Sequence, residues 1–188
     1  MKRKYSQYIK KLFIQKMQEE LPEFAFWKST KEQGLDYNFV KHDQDSWKMI
    51  SVQHHHNEDS FMIEIMWSKT EEPKLYESEY IEKPLSIETI METKPAHLRI
   101  RLPDFWTESF DAWWVIDRRG QFIKSIDEKG LITEDLYYQF YSDVGAILED
   151  GPELTEEEMK VYIDPLVANA IKMIQKYAIP LYEKLDTI

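Results

Sequence analysis

The sequence predicts an α+β fold, in which an antiparallel sheet of five or more strands has an N-terminal helix and C-terminal helices packed on one face. Three patterns indicate this: an early helical stripe, two long alternating stretches around residues 57–59, and helix-start signals late in the chain. At 188 residues and 43% hydrophobic content, the chain is long enough to bury one core. We therefore predict a single domain, residues 1–188, with a long acidic excursion at 69–95.

The first stretch, residues 5–21, is predicted to be an amphipathic helix that ends at Pro22. Its lysines are expected to face water or acidic neighbours while its apolar side faces the core. The apolar positions recur at three- and four-residue steps: Tyr5, Tyr8, Ile9, Leu12, Phe13, Met17 and Leu21.

The next four stretches are predicted to form an antiparallel meander with strands at 24–28, 36–42, 46–56 and 60–68. The last two make the central hairpin. One face of that hairpin is mixed, and the other is apolar through Ile50, Val52, Phe61, Ile63, Ile65 and Trp67.

Beyond the hairpin, seven glutamates make residues 69–95 acidic, and residues 85–92 could form a short helix there. Residues 96–102 alternate as a further strand, and residues 114–123 resemble a second hairpin. The rest is predicted to be helical. Thr133 can cap one helix, Thr155 and Glu158 form a capping-box signature for another, and Pro165 and Pro180 must kink or restart that last segment.

Composition limits the possible partners and chemistry. The chain has no cysteine, which excludes disulfides, thiolate metal sites and cysteine nucleophiles. The net charge of −11 disfavours nucleic acid as a partner. No apolar run is long enough to span a membrane, so we expect a cytoplasmic protein without a membrane partner. Neither a phosphate-binding loop nor a dinucleotide or hydrolase signature is found, which favours a protein that is not an enzyme.

The candidate metal ligands are His54 and His56, which share one side of the predicted strand. Two imidazoles with a carboxylate would suit zinc, iron or manganese. No other cofactor is expected, and the simpler alternative is a hairpin end without metal. The possible oxygen ligands at the same end of the sheet are Glu58, Asp59, Asp36 and Glu32.

The mixed face of the sheet is the candidate ligand site. If Ser51 pairs with Glu64, and Arg99 lies opposite Glu64 from the other side, polar groups gather across three strands beside Met62 and Met66. Such a face could bind an anionic small molecule or a peptide carboxylate. The alternative is a structural Arg99–Glu64 ion pair. The candidate residues are Gln53, His55, Glu64, His97, Arg99 and Arg101.

The aromatic residues between 105 and 114 are a further candidate for ligand contact. Trp106, Trp113 or Trp114 could line a pocket together with Arg99 or Arg101, although core packing is the simpler use of these side chains.

In the order of its elements, the chain resembles small bacterial domains of unknown function over about residues 5–102. The resemblance depends on the N-terminal amphipathic helix, the aromatic-rich meander and the strand Ala96-His97-Leu98-Arg99-Ile100-Arg101-Leu102, with Tyr177-Ala-Ile-Pro-Leu-Tyr182 also in keeping. The long acidic excursion departs from that pattern. The resemblance implies no reaction, and it implies that some members are accessory or immunity-like proteins that act by binding.

The sequence therefore favours a non-catalytic protein-binding module that meets a basic protein through the mixed face or the acidic excursion. Two alternatives remain open. One is a metal-dependent hydrolase at His54 and His56, and the other is a binder of small anionic ligands on an open sheet face.

Overall fold

Six antiparallel strands form the sheet in this computed structural model, which describes residues 3–27, 37–43, 45–55, 59–69, 85–106, 113–116 and 152–187. The strands follow the chain in the order β1 to β5, and β6 pairs with the beginning of β4. Their bounds are β1 Ala25–Trp27, β2 Tyr37–His42, β3 Trp47–His54, β4 Ser60–Ser68, β5 His97–Arg101 and β6 Trp114–Val115. The predicted meander and its central hairpin are confirmed.

The described helices are α1 Arg3–Glu20, α2 Ile87–Thr93, α3 Glu156–Tyr162, α4 Asp164–Met173 and α5 Ile179–Leu185. Leu102–Phe105 forms a short 3-10 turn after β5. Thr155 caps α3 through the predicted capping box, in which it accepts from the Glu158 N–H and the Glu158 side chain accepts from the Thr155 N–H. Pro165 lies in the first turn of α4, where its missing N–H costs no helical bond.

A π-helical turn, Ile174–Ala178, joins α4 to α5. It precedes Pro180, which cannot donate the backbone bond that a continuous α-helix would need at that position. The expected restart of the last segment at Pro180 is thus confirmed. The turn also directs Tyr177 towards Phe105, whose ring stacks with it at a centroid distance of 5.2 Å.

The register of the sheet was predicted correctly on one side of β4 and incorrectly on the other. Ser51 lies opposite Glu64, as expected. Glu64, however, pairs with Arg101, and Arg99 pairs with Met66. The error is two residues, which leaves every side chain on its predicted face because strand side chains alternate with a period of two. Ile100 and Leu98 therefore still face the core, opposite Ile65 and Trp67.

The described helices pack against one face of the sheet, which we call the helix face. Phe13 of α1 makes edge contacts with Phe61 and Tyr37, at centroid distances of 5.5 and 6.3 Å. From α5, the buried Tyr182 hydroxyl donates a 2.7 Å bond to the Met49 carbonyl, which ties the helix to the central strand. The helical stripe read from the sequence is therefore confirmed as core, with Tyr5, Ile9, Phe13, Met17 and Leu21 buried.

Some predictions lie outside the described residues. These are most of the turn at 57–59, most of the acidic excursion, the second strand of the 114–123 hairpin, and the helix after Thr133. Within the described part of the chain, no helix has the length and apolar character needed to cross a membrane.

Candidate functional site

The polar face is the side of the sheet opposite the helix face. A row of four polar side chains crosses it, one from each of strands β2 to β5: Asn38, Ser51, Glu64 and Arg101. The register places each beside the next, so we call them the polar row. Asn38 and Ser51 are completely buried, and Glu64 is nearly so. The sequence predicted three of these four residues as part of a site or its pairing and missed Asn38.

Arg99 reaches Glu64 diagonally from the neighbouring position on β5. Its terminal nitrogen donates to both carboxylate oxygens, at 2.8 and 2.9 Å, and its Nε donates to Oε2 at 3.2 Å. The Glu64 side chain is 3% exposed and the Arg99 side chain 28%. The buried carboxylate is therefore held by a planar guanidinium that remains partly in water.

Asn38 has one of its two polar atoms bonded. Its Oδ1 accepts from the Ser51 hydroxyl. Its Nδ2, which carries two N–H donors, has no hydrogen-bond partner among the residues that the structure describes. An unmade bond at a buried amide costs about 1–3 kcal/mol, so this nitrogen is a place where an added acceptor would be stabilised.

A small apolar cluster lies beside the polar row on the same face. Val40, Met49 and Met66 are buried there, and Trp27 and Trp47 pack against them. The two indole rings are 5.5 Å apart and both are half-buried. The polar face thus combines fixed hydrogen-bonding groups with an apolar wall that contains methionines, which adapt readily to different shapes.

The sequence left open whether this face is exposed, and in the structure the middle of the polar row is buried. Trp27 and Trp47 pack over the apolar cluster, and Arg99 lies across Glu64. Half-buried residues form the rim: Trp27, Trp47, Gln53, His97, Arg99 and Arg101.

The other predicted ligand residues lie at two ends of this face. Gln53 is opposite Met62, and His55 meets the edge of Trp113 at 5.1 Å. At the far end, His97 Nδ1 lies 3.2 Å from the Ser68 hydroxyl.

Trp106 does not join these groups. It packs against Trp114 at 6.1 Å and Tyr177 at 5.4 Å, and Trp114 in turn donates a 3.0 Å bond to Asn169 on α4. These contacts place Trp106 on the helix face, away from the polar row. The described contacts therefore do not bring Trp106 and Arg99 together in one pocket.

The histidine pair is divided between the described and undescribed parts of the chain. His54 lies opposite Phe61, and its Nδ1 is 2.7 Å from the hydroxyl of Ser6 on α1. His56 lies outside the described residues. No group of three metal-type side chains occurs within the described ranges. The metal-dependent hydrolase stays a prediction, and metal analysis of the untagged protein would test it.

A second charge cluster was missed by sequence reasoning. On β3, Lys48 is buried and its ammonium donates to both Asp43 and Asp186. The Ser46 hydroxyl also donates to Asp186, at 2.8 Å. A lysine that alternates with apolar neighbours could have signalled it, but Asp186 is 138 residues away in the chain.

Within this cluster, the pKa values of Lys48 and Asp43 are shifted. Burial by itself would lower the pKa of Lys48, but the hydrogen bonds to Asp186 and Asp43 outweigh it and raise that pKa above its ordinary value. The hydrogen bond from Lys48 lowers the pKa of Asp43. Lys48 and Asp43 therefore both stay charged around neutral pH.

Comparisons of this chain with protein families, with curated proteins and with solved structures found no match. The function has to be argued from the geometry, and the resemblance to small bacterial domains stays a prediction.

Proposed function

We propose that this protein is a non-catalytic binding module and that the polar face of its sheet recognises the ligand. The observation that carries the proposal is the polar row, in which a buried Asn38 nitrogen has no partner among the described residues. Buried polar groups are normally satisfied within a protein, and an exception calls for an explanation such as a ligand or an ordered water.

The arrangement of the row supports recognition because its groups are fixed before any ligand arrives. Ser51 orients the Asn38 amide, and Arg99 holds both oxygens of Glu64. The side chains project from hydrogen-bonded strands, which position them more rigidly than loops would. Little conformational freedom remains to be lost on binding, and this favours affinity.

Chemical-shift mapping with a diverse small-molecule library tests the proposal. Ligands should shift backbone resonances of β2, β3 and β4 on the polar face. Ser51→Ala should weaken ligand binding, because it removes the hydrogen bond that orients the Asn38 amide. Ser46→Ala is the matched control, since it removes a buried hydroxyl from the Lys48 cluster instead. Hits that map only to the helix face, or a library without hits, would refute the proposed role of this face.

A basic protein partner is a second candidate. Glu153, Glu156 and Glu157 are all exposed at the beginning of α3, in a chain of net charge −11. Complementary charge would speed the encounter with a basic surface and would be screened by salt.

Calorimetric titration with a lysine-rich peptide tests this second candidate. Replacing both Glu156 and Glu157 by glutamine should weaken binding more than Glu183→Gln, an equally exposed change on α5. Glu158 should be left intact because it belongs to the capping box. Equal binding by both variants would contradict a partner surface at α3.

A further inference from the structure

We infer that the ligand of the polar face presents an uncharged carbonyl oxygen to Asn38 and an apolar body to Trp27. This inference rests on the proposed binding function and adds the chemical class of the ligand. It begins from the Asn38 Nδ2, which is completely buried and has no acceptor among the described residues. A carbonyl oxygen supplies the missing acceptor directly.

An uncharged acceptor fits better than a carboxylate because of where the charges lie. In the row, Asn38 is followed by Ser51 on β3, Glu64 on β4 and Arg101 on β5. At ~4.8 Å per strand, three spacings put the arginine backbone roughly 14 Å from that of Asn38. A carboxylate beside Asn38 would be closer to Glu64 than to Arg101 and would lose its hydration without a described cation next to it.

The apolar part of the ligand follows from the neighbours of Asn38. Trp27 pairs with Asn38 across the β1–β2 ladder. Its indole packs on the cluster of Val40, Met49 and Met66. Trp27 is half-buried, so it is the more exposed member of this cross-strand pair, and a ligand that reaches the buried amide has to contact or displace its indole. A ligand that bonds to Asn38 therefore places its next atoms against indole and thioether groups, which favour an apolar or aromatic body.

Three probes with the same phenyl body separate these chemistries: benzyl methyl ketone, phenylacetate and propylbenzene. Each is titrated into the ¹⁵N-labelled protein while the Asn38 side-chain amide and the Trp27 indole N–H are observed. The ketone should shift both resonances. Propylbenzene should bind roughly five- to tenfold more weakly, as expected for one lost hydrogen bond, and phenylacetate more weakly still.

Asn38→Leu removes the donor and should abolish the preference for the ketone over propylbenzene. Because the readout is a ratio of two affinities, a modest loss of stability does not affect it. Gln175→Leu is the matched control, since it replaces an exposed amide on the π-turn and should retain the preference.

Three results would overturn the inference. The first is tightest binding by phenylacetate, which would assign the face to anions. The second is equal binding of the ketone and the hydrocarbon in both the parent protein and Asn38→Leu. The third is an Asn38 amide that no probe shifts, as a trapped water would produce. The binding function itself would survive each of these results if the wider library still maps to the polar face, and it fails separately if the library does not.

Discussion

Two charge clusters lie on opposite sides of the sheet, and they differ in which partner is buried. On the polar face the anion is buried: the Glu64 side chain is 3% exposed and that of Arg99 is 28%. On the helix face the cation is buried: Lys48 is 3% exposed, whereas Asp43 and Asp186 are 45% and 37%. We therefore expect each cluster to lose most stability when its more exposed partners are removed, because that change leaves an unpaired charge in the interior.

The clusters also differ in what they connect. Arg99 and Glu64 lie on neighbouring strands, so their pair fixes side chains within the polar face. Lys48 joins β3 to Asp186 just after α5 and so holds a helix on the sheet. The first cluster organises the candidate site, and the second organises the fold around it.

The largest effect is expected from changing both Asp43 and Asp186 to asparagine. Lys48 would then remain buried without a carboxylate, which should lower the free energy of unfolding by about 3 kcal/mol. Urea denaturation measures this. Adding Lys48→Met to the double variant should recover most of the loss, because it removes the stranded charge. A triple variant as unstable as the double would show that the hydrogen bonds, and not the buried charge, account for the cost.

A smaller loss, about 2 kcal/mol, is expected for Arg99→Met, which strands Glu64. The loss is smaller because removing Arg99 also opens space through which water can reach the carboxylate. The partner change Glu64→Gln in the same variant should restore stability in urea denaturation. If Arg99→Met proves as stable as the parent protein, the ion pair contributes nothing and the polar row is not prearranged by it.

The contribution of the Lys48 cluster to the free energy of unfolding should depend on pH at both acidic and basic extremes. The pKa of Asp43 is lowered in the folded protein, so its contribution is present above about pH 3.9, its unfolded pKa, and is lost as the pH falls through the folded value. The pKa of Lys48 is raised, so its contribution is complete below about pH 10.4 and is lost as the pH rises through the folded value.

Because Asp43 is nearly half exposed, its acid contribution should be below about 1 kcal/mol. Urea denaturation of the parent protein and of Lys48→Met across the pH range measures both the loss of stability in acid and the loss in base. The stability difference between the two proteins should be flat near neutrality and narrow at both extremes. If the stability difference changed most near pH 7, the pH dependence could not be assigned to Asp43 and Lys48.

The smallest effect is expected for an exposed pair on α1. Lys16 donates to Glu19 at 3.3 Å, and their side chains are 34% and 49% exposed. Hydrogen bonds from Gln15 and Lys16 lower the pKa of Glu19. Glu19→Gln should nevertheless leave the midpoint of thermal unfolding unchanged, because solvent screens such pairs. A clear loss of stability would show that side-chain exposure does not predict how much the Lys48 cluster, the Arg99–Glu64 pair and the Lys16–Glu19 pair each stabilise the fold.

The sequence predicted the sheet well because alternation and turn residues are local signals. Tyr37 and Phe39 alternate with Asn38, which fixed both the strand and its faces. The registry error at β5 arose because a shift of two residues preserves that alternation, and no short turn joins β4 to β5 to set the pairing. Local patterns could not distinguish Arg99 from Arg101 as the residue opposite Glu64.

The candidate site was predicted only in part for a related reason. Glu64, Arg99 and Arg101 stand out as charges in apolar strands, whereas Asn38 shows its unmet bond only in three dimensions. The Lys48 cluster depends on a contact across most of the chain. Residues so far apart in the chain form no local sequence motif from which their contact could be predicted.

The Trp27–Trp47 pair gives the polar face an optical signal of its own. Two indoles whose centroids are 5.5 Å apart and whose planes are inclined at 46° are close enough for their electronic transitions to couple. Trp67 and Trp114, by contrast, are enclosed on the helix face. Near-ultraviolet circular dichroism can therefore report rearrangement at the rim of the candidate site without any added label.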